Sequence, residues 1–451
     1  MSCPASGPCI QRALRIFAFL LLFVCVSAFA DEFLVGPSDY RSVITKAVPG
    51  SIMKLSPGVY NGGLQIVRLN GTADKPIVIE AADAAHLPRF LARPGKNTIS
   101  IVDASYIVIR NLILDGRNLP VDGVKAEGYS RYAHHITLEG LQILRHGFSQ
   151  DNVAISTKCP AWNWVIRGNT IARAGTGMYL GNSDGSAAFF AGLIEGNLIY
   201  DSIGYNLQIK HQQVRPAVAD LPSDSHLTII RHNVFSKFGN ASTGHRARPN
   251  VLIGHFPKQG LGADDRYALY GNFFYANSTE WLFQAEGNVA LYANLFVNPL
   301  GHAVHIQPHN DAPKNIWLFH NTIVANGKGI ELEGDVDTYL RLMAGNAVFA
   351  TSSGPARLQS ENFVVPFSKA QEYLIDPSAP LGRLDLRFKP VVSRIEPSAC
   401  TVSEHFPDAG KDFDGVAYRQ CGVGAYATEA AVARWLPNLS IKPLRQAQDN
   451  F

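Results

Sequence analysis

From about residue 100 to residue 350 the chain repeats one short pattern of apolar and polar positions. An alternating block ends in Asn or a small residue, as in Val108-Ile109-Arg110-Asn111-Leu112-Ile113, Val165-Ile166-Arg167-Gly168-Asn169-Thr170-Ile171 and Leu318-Phe319-His320-Asn321-Thr322-Ile323. Nine such blocks put the key positions at 111, 140, 169, 197, 233, 272, 294, 321 and 346, spaced by 29, 29, 28, 36, 39, 22, 27 and 25 residues. A period of this length holds a few short strands and turns, and leaves little room for helices. Alternation at period two marks strands with one buried face. A recurrent Asn at a corner predicts an amide ladder and a left-handed backbone there.

A second strand follows most blocks, as in Asn152-Val153-Ala154-Ile155-Ser156, Asn206-Leu207-Gln208-Ile209-Lys210 and Ala303-Val304-His305-Ile306-Gln307. Coils of parallel strands stacked on one another bury faces that no single coil can bury alone. The fold class predicted is therefore all-β, a single-stranded parallel β-helix; propeller blades would be longer and need four strands each. Residues 38–47 predict a short amphipathic helix, stopped by Pro49-Gly50, that plugs one end. Residues 31–350 make the solenoid on this reading. Residues 351–451 are an irregular closing segment, with a last coil around 412–427.

Composition changes this picture little. Charged residues are 17% of the chain, with 39 Gly and a net charge of +3. That balance excludes a disordered chain and a polybasic nucleic-acid surface. Residues 1–30 carry Arg12 and Arg15, then an apolar run from Ile16 to Val24, then Ala28-Phe29-Ala30, the layout of a cleaved secretory leader. The expected location is periplasmic or secreted, with no membrane span after cleavage, and the expected state is a monomer. In such a compartment Cys400 and Cys421, close together in the tail, are expected to form a disulfide, and Cys159 to be a buried small hydrophobe.

Pro49-Gly50-Ser51-Ile52-Met53-Lys54-Leu55-Ser56-Pro57-Gly58-Val59-Tyr60, followed by Asn70-Gly71-Thr72-Ala73-Asp74-Lys75-Pro76-Ile77-Val78-Ile79, resembles the opening of bacterial right-handed parallel β-helix proteins, closest to the chondroitinase-B and alginate lyase family of polysaccharide lyases. Asp412-Phe413-Asp414-Gly415 and Gly422-Val423-Gly424-Ala425-Tyr426 resemble the closing coil of such proteins. The resemblance implies a lysine base on one coil, an assisting arginine on the next, and calcium held by Asn and Glu. Ile209-Lys210-His211 falls at the lysine motif, and Val251-Leu252-Ile253-Gly254-His255 carries His where an Arg-His pair is expected. The stretch Ile203-Gly204-Tyr205-Asn206-Leu207-Gln208 has none of the acidic ligands, so calcium is implied by the resemblance alone and no other cofactor is indicated.

Two coils are overlong, with insertions at 214–226 and 237–267, and eight of the 14 His lie between residues 205 and 309. Long excursions from a rigid scaffold are where sites are built. Eliminating across a uronate needs a cation on the carboxylate, a base for the C5 proton and an acid for the leaving oxygen. Lys210 is the candidate base, its pKa lowered by neighbouring cations. His255 is the candidate acid or second base, with His211 beside Lys210. Arg246 and Arg248 would clamp a carboxylate, and Lys258, Glu286 and His309 would contact further sugar units or hold the site together. His302, His305 and His309 are read as no metal site, since i, i+3 on a strand points to opposite faces. Asp264-Asp265 is read as a turn.

These residues point to an exported enzyme acting on an acidic, uronate-containing polysaccharide by β-elimination. C5-epimerisation shares the proton abstraction. A glycoside hydrolase would need paired carboxylates. A non-catalytic glycan-binding β-helix would show an aromatic groove in place of the Lys, His and Arg cluster.

Overall fold

A computed structural model describes residues 32–216, 218, 220–334, 337–352, 354, 361–389, 405–418, 422–427 and 435–443. The segment expected to be a leader, and Cys400 and Cys421 with their expected disulfide, lie outside the described residues. No helix among the described residues is long and apolar enough to cross a membrane.

Three parallel sheets run the length of the solenoid, and each coil visits them in turn. In one coil Ala104–Arg110 lies in the first sheet, Ile113–Asp115 in the second and Val124–Ala126 in the third, before Ala133–Glu139 returns to the first. The path through the first sheet joins twelve strands, the second holds twelve and the third ten. Every pairing in them is parallel, and the coils wind right-handed, the hand parallel crossovers almost always take. The fold is a right-handed parallel β-helix.

Alternation fixes what fills the lumen. Met53, Ile79, Ile109, Leu138, Ile166, Ile194, Ile230, Leu269, Leu291, Leu318 and Met343 follow one another in register, nearly all fully buried. Outside the same strands runs a column of alternating charge: Lys54, Glu80, Arg110, Glu139, Arg167, Glu195 and Arg231. Arg110 meets Glu80 at 2.5 Å, Arg167 meets Glu139 at 3.1 Å and Arg231 meets Glu195 at 2.7 Å. Beyond Arg231 the column turns aromatic, Tyr270 stacking on Tyr292 at 4.9 Å and Tyr292 on Phe319 at 4.8 Å.

The amide ladder is present, and the register moves its first two rungs by one residue. Asn169, Asn197, Asn233, Asn272, Asn294, Asn321, Asn346 and Asn362 are stacked, each donating its backbone N–H and Nδ2 to the Oδ1 of the next. Arg110 pairs with Glu139 and Glu139 with Arg167, so the rungs below Asn169 are Leu112 and Leu141, not Asn111 and Gly140. The left-handed corner residue is the one before the rung. It is Asn111 (φ 59°), Gly140 (62°), Gly168 (64°), Gly196 (61°) and His232 (55°) in successive coils, which is why glycine recurs there. The ladder Asn itself is not the left-handed residue.

At the N-terminal end the short helix Tyr40–Ile44 buries Tyr40 and Ile44. The Tyr40 ring packs edge-on to Tyr60 at 5.0 Å, closing the first coil. At the other end, the described residues 411–418 and 422–427 pack on the flank of the solenoid and add no strand to the three sheets. The Gly424 N–H donates to the Gly345 carbonyl and the Ala425 N–H to the Thr322 hydroxyl. Asp412 organises this segment by accepting the N–H groups of Asp414, Val416 and Ala427.

Candidate active site

The third sheet has strands of only three to five residues, so its outer face is narrow. Side chains pointing out of it form two columns. The first is Lys125, Ser156, Tyr179, Gln208, Leu252, Gln284, His305 and Glu331, in direct register. The second lies two residues on: Glu127, Lys158, Gly181, Lys210, Gly254, Glu286, Gln307 and Glu333. The overlong connections leave opposite ends of these strands, 237–250 entering Val251–Ile253 and 254–265 leaving it. This face is therefore the floor of a groove along the axis.

Lys210 stands in the second column between two glycines. A Cβ on Gly254 would lie 2.2 Å from the His211 nitrogen and 2.6 Å from the Lys210 carbonyl carbon, so the backbone approach there requires glycine. On the other side Gly181, at φ 97°, bears no side chain, and a Cβ there would lie 3.2 Å from the Lys210 Cβ. Lys210 has no hydrogen-bond or ion-pair partner among the described residues. Burial lowers its pKa, and Glu286 two coils on acts in the opposite sense. The expected cause, crowding by cations, is not what lowers it.

His211 and His255 sit in register one coil apart, where the Gln212 N–H donates to the His255 carbonyl at 2.7 Å. A cleft of about 390 Å³ opens beside them, lined by His211, His255, Lys258, Asn310 and Asp311 among others. His211 Nδ1 is buried without a partner. Burial, and then Lys210, lower its pKa. His255 is 6% exposed, and its Nε2 lies 3.3 Å from the Ala312 carbonyl.

Glu286 does not face the groove. It is 1% exposed, and its carboxylate accepts the N–H groups of His255 at 3.1 Å, His309 at 2.9 Å, Asp311 at 3.2 Å, and Asn310. One carboxylate thus ties together two walls of the cleft, holding the site in place and unable to reach a sugar. Asp311 in turn pairs with Lys258 at 2.7 Å, while His309 is exposed beside Gln284 and Gln307.

The two arginines are on the opposite wall and are engaged there. Arg246 pairs with Asp151 at 2.9 Å. Arg248 donates to the carbonyls of His245 and Ala247 and lies 5.8 Å from the centre of the Tyr205 ring. They present no paired clamp over Lys210.

Sequence reasoning missed Lys158, Tyr179 and Tyr205. The Lys158 ammonium lies 3.5 Å from the centre of the Tyr179 ring, and burial lowers its pKa to about 8. Burial raises the pKa of Tyr179, and that of Tyr205 to about 12, so both phenols are protonated proton donors at neutral pH. The signal that finds them is strand phase: Lys158 follows Ser156 by two residues as Lys210 follows Gln208.

Calcium does not fit beside Lys210. Asn206 offers one buried Oδ1 without a partner, but the neighbouring positions carry no carboxylate, and Glu286 is consumed by amides. A hard dication needs several oxygens, charged ones among them. Farther along, His305 Nε2 lies 3.1 Å from Glu333 and 4.0 Å from Glu331, with Lys328 bonded to Glu331. His302 and His305 both pack on Trp281 at 4.6 Å, so the expectation of opposite faces fails: His302 lies at the bend before the strand, where alternation has not begun. Asp265 is no surface turn residue, being buried against Arg215 and accepting the His226 N–H at 2.8 Å. Cys159 is buried, its pKa raised to about 12 by that burial.

No family model matches the sequence, and no curated protein matches it. Among solved structures the chain is similar to an alginate lyase from Paenibacillus sp. strain FPU-7, at 16% identity and a TM-score of 0.45, over 69% of this chain and 97% of that one. It is similar to the pectate lyase Pel9A at 11% identity and a TM-score of 0.46, over 88% of this chain and 96% of that one. It is similar also to a lacto-N-biosidase from Eubacterium ramulus at 12% identity and a TM-score of 0.45, over 74% of this chain and 68% of that one. Polysaccharide lyases of the kind the sequence resembles thus stand among the structural neighbours, and the fold itself rests on the strand register described above.

Proposed function

We propose that the chain is an exported enzyme that cleaves an acidic polysaccharide by β-elimination, with Lys210 as the base. One observation carries this reading: a half-buried lysine without a partner among the described residues stands between two glycines on the floor of an axial groove. Burial favours its neutral amine, the form that takes a proton from C5 of a uronate. The phenol of Tyr179, diagonal to it on the neighbouring coil and protonated, is a donor for the leaving oxygen. Cationic Lys158 and the histidine-lined cleft receive the flanking acidic units. The cluster of Lys, His and Tyr favours catalysis over simple glycan binding.

A hydrolase is disfavoured by the state of the acids. Glu286 is buried under amides, and Glu331 and Glu333 are engaged by Lys328 and His305. Epimerisation would use the same lysine and return a proton to the opposite face.

The test is to incubate the mature protein with alginate, chondroitin, hyaluronan and pectate and follow the ultraviolet absorbance of unsaturated ends. Lys210→Gln is expected to lower the rate about a hundredfold or more, the usual contribution of general base catalysis. Deuterium uptake at C5 without unsaturated ends identifies an epimerase. Neither signal on any of the four polymers refutes the reading, and so does activity that survives Lys210→Gln.

A further inference from the structure

We propose that Lys158 is a second carboxylate-binding subsite on the groove floor, so that the substrate is an acidic chain presenting carboxylates to the protein on alternate units. This rests on the elimination reading and adds to it the spacing of charge that the polymer must carry.

Four residues fall in one outward column because the strand register puts them there. The Lys158 N–H donates to the Ala126 carbonyl, the Gly181 N–H to the Thr157 hydroxyl, the Lys210 N–H to the Leu180 carbonyl and the Gly254 N–H to the Ile209 carbonyl. Lys158 and Lys210 are thus two coils apart with only Gly181 between them. Parallel strands stack at about 4.8 Å, so the two lysines are separated by about 10 Å along the axis. One coil rise is close to the length that a pyranose unit adds to an extended chain. A chain laid along the groove therefore places alternate units over the two lysines, and the unit between them over the bare backbone of Gly181.

Among the described residues no carboxylate forms an ion pair with this lysine. Glu127, its neighbour in register, is turned away and accepts from Asn97 Nδ2 and Ser100 Oγ, both at 2.8 Å. Asp122 is taken by Lys125 at 3.2 Å. The ammonium rests instead over the Tyr179 ring, which orients it without cancelling its charge. Burial lowers its pKa to about 8 against the attraction of Asp122, with smaller contributions from Lys125 and Lys210, so at neutral pH it is still charged. A half-buried cation with no ion-pair partner among the described residues, facing the groove, is matched by a ligand carboxylate.

The test uses Lys158→Gln and Lys158→Arg in the full mature chain. In native gels cast with alginate or with hyaluronan, Lys158→Gln is expected to weaken retardation about tenfold or more, the loss of one charge-assisted contact, and Lys158→Arg to keep it. With size-fractionated oligomers of the retained polymer, the wild-type KM falls as the chain grows by two units past Lys210. Lys158→Gln removes that fall and leaves most of kcat. Unchanged retardation in Lys158→Gln overturns the subsite, as does a wild-type protein retarded by neither polymer. A loss of kcat with KM unchanged also overturns it, because the lysine then works in the chemistry. Retardation that depends on Lys158 without any turnover leaves the subsite standing and refutes the elimination.

Discussion

Replacing Glu286 with Gln isolates the device that holds the cleft together. The carboxylate serves four backbone donors, three through Oε1 (His309, Asn310 and Asp311) and one through Oε2 (His255). Gln keeps one acceptor and turns an NH₂ group toward the other donor. An orphaned buried N–H costs about 1–3 kcal/mol, and each of the remaining bonds weakens by about 0.5–1 kcal/mol on passing from a charged to a neutral acceptor. The sum is about 2.5–6 kcal/mol, concentrated at 254–258 and 307–312. At about 1.4 kcal/mol per factor of ten, amides of 309–311 should exchange with deuterium about a hundredfold faster or more, while the core strand Val304–Ile306 changes far less. The Lys258–Asp311 pair cannot compensate, because the Lys258 side chain is 72% exposed and such pairs contribute about 0–1 kcal/mol. Asp311→Asn is the matched control and should leave exchange at 309–311 nearly unaltered. Hydrogen-exchange mass spectrometry reads both variants. Unchanged exchange at 309–311 in Glu286→Gln, or acceleration spread evenly over all coils, would refute the claim that one carboxylate organises this wall.

Three further outcomes follow from the scaffold. Asn233→Ala removes donors to the Ile194 carbonyl and Asn272 and the acceptor for Asn197, and should cost about 3–5 kcal/mol, read as a lowered Tm. Lys237 is buried with its ammonium on the Arg248 carbonyl, and burial lowers its pKa to about 7. Between about pH 7 and the unfolded value near 10.5 the unfolded chain therefore holds a proton that the folded chain does not, so stability should rise with pH across that window. Lys237→Met should flatten the rise in denaturant titrations, and an identical slope in the variant would refute the assignment. Cys159, buried and with its thiol pKa raised to about 12, should react with a thiol reagent only after unfolding.

The solenoid was legible because its repeat is local: alternation and a recurring corner residue specify each coil wherever it sits. The phase of the ladder was not fully legible. Asn111 looks like a rung, yet it is the left-handed residue before Leu112, and only cross-coil pairing separates the two roles. In the site, the grouping of Lys210, His211 and His255 was readable because both segments end equivalent strands. Lys158 was not, since Cys159-Pro160 follows it and its place in the column depends on register. Where Arg246 and Arg248 point was not legible either: their loop has its own carbonyls and Asp151 to engage the guanidinium groups. Glu286 sits at an outward position by alternation, but the connection after the following strand folds over it. Loop conformation decides that burial, and no periodicity records it.

The charged column on the first sheet constrains how this protein can gain or lose length. Lys54, Glu80, Arg110, Glu139, Arg167, Glu195 and Arg231 alternate in sign from coil to coil. Deleting one coil from within this stretch would bring like charges face to face, Glu80 against Glu139 for instance, where direct cross-strand repulsion destabilises the pairing. Deleting two adjacent coils would restore opposite partners. Along this stretch, whole coils are exchangeable in pairs, and growth or shortening of the solenoid by duplication and deletion should proceed two coils at a time.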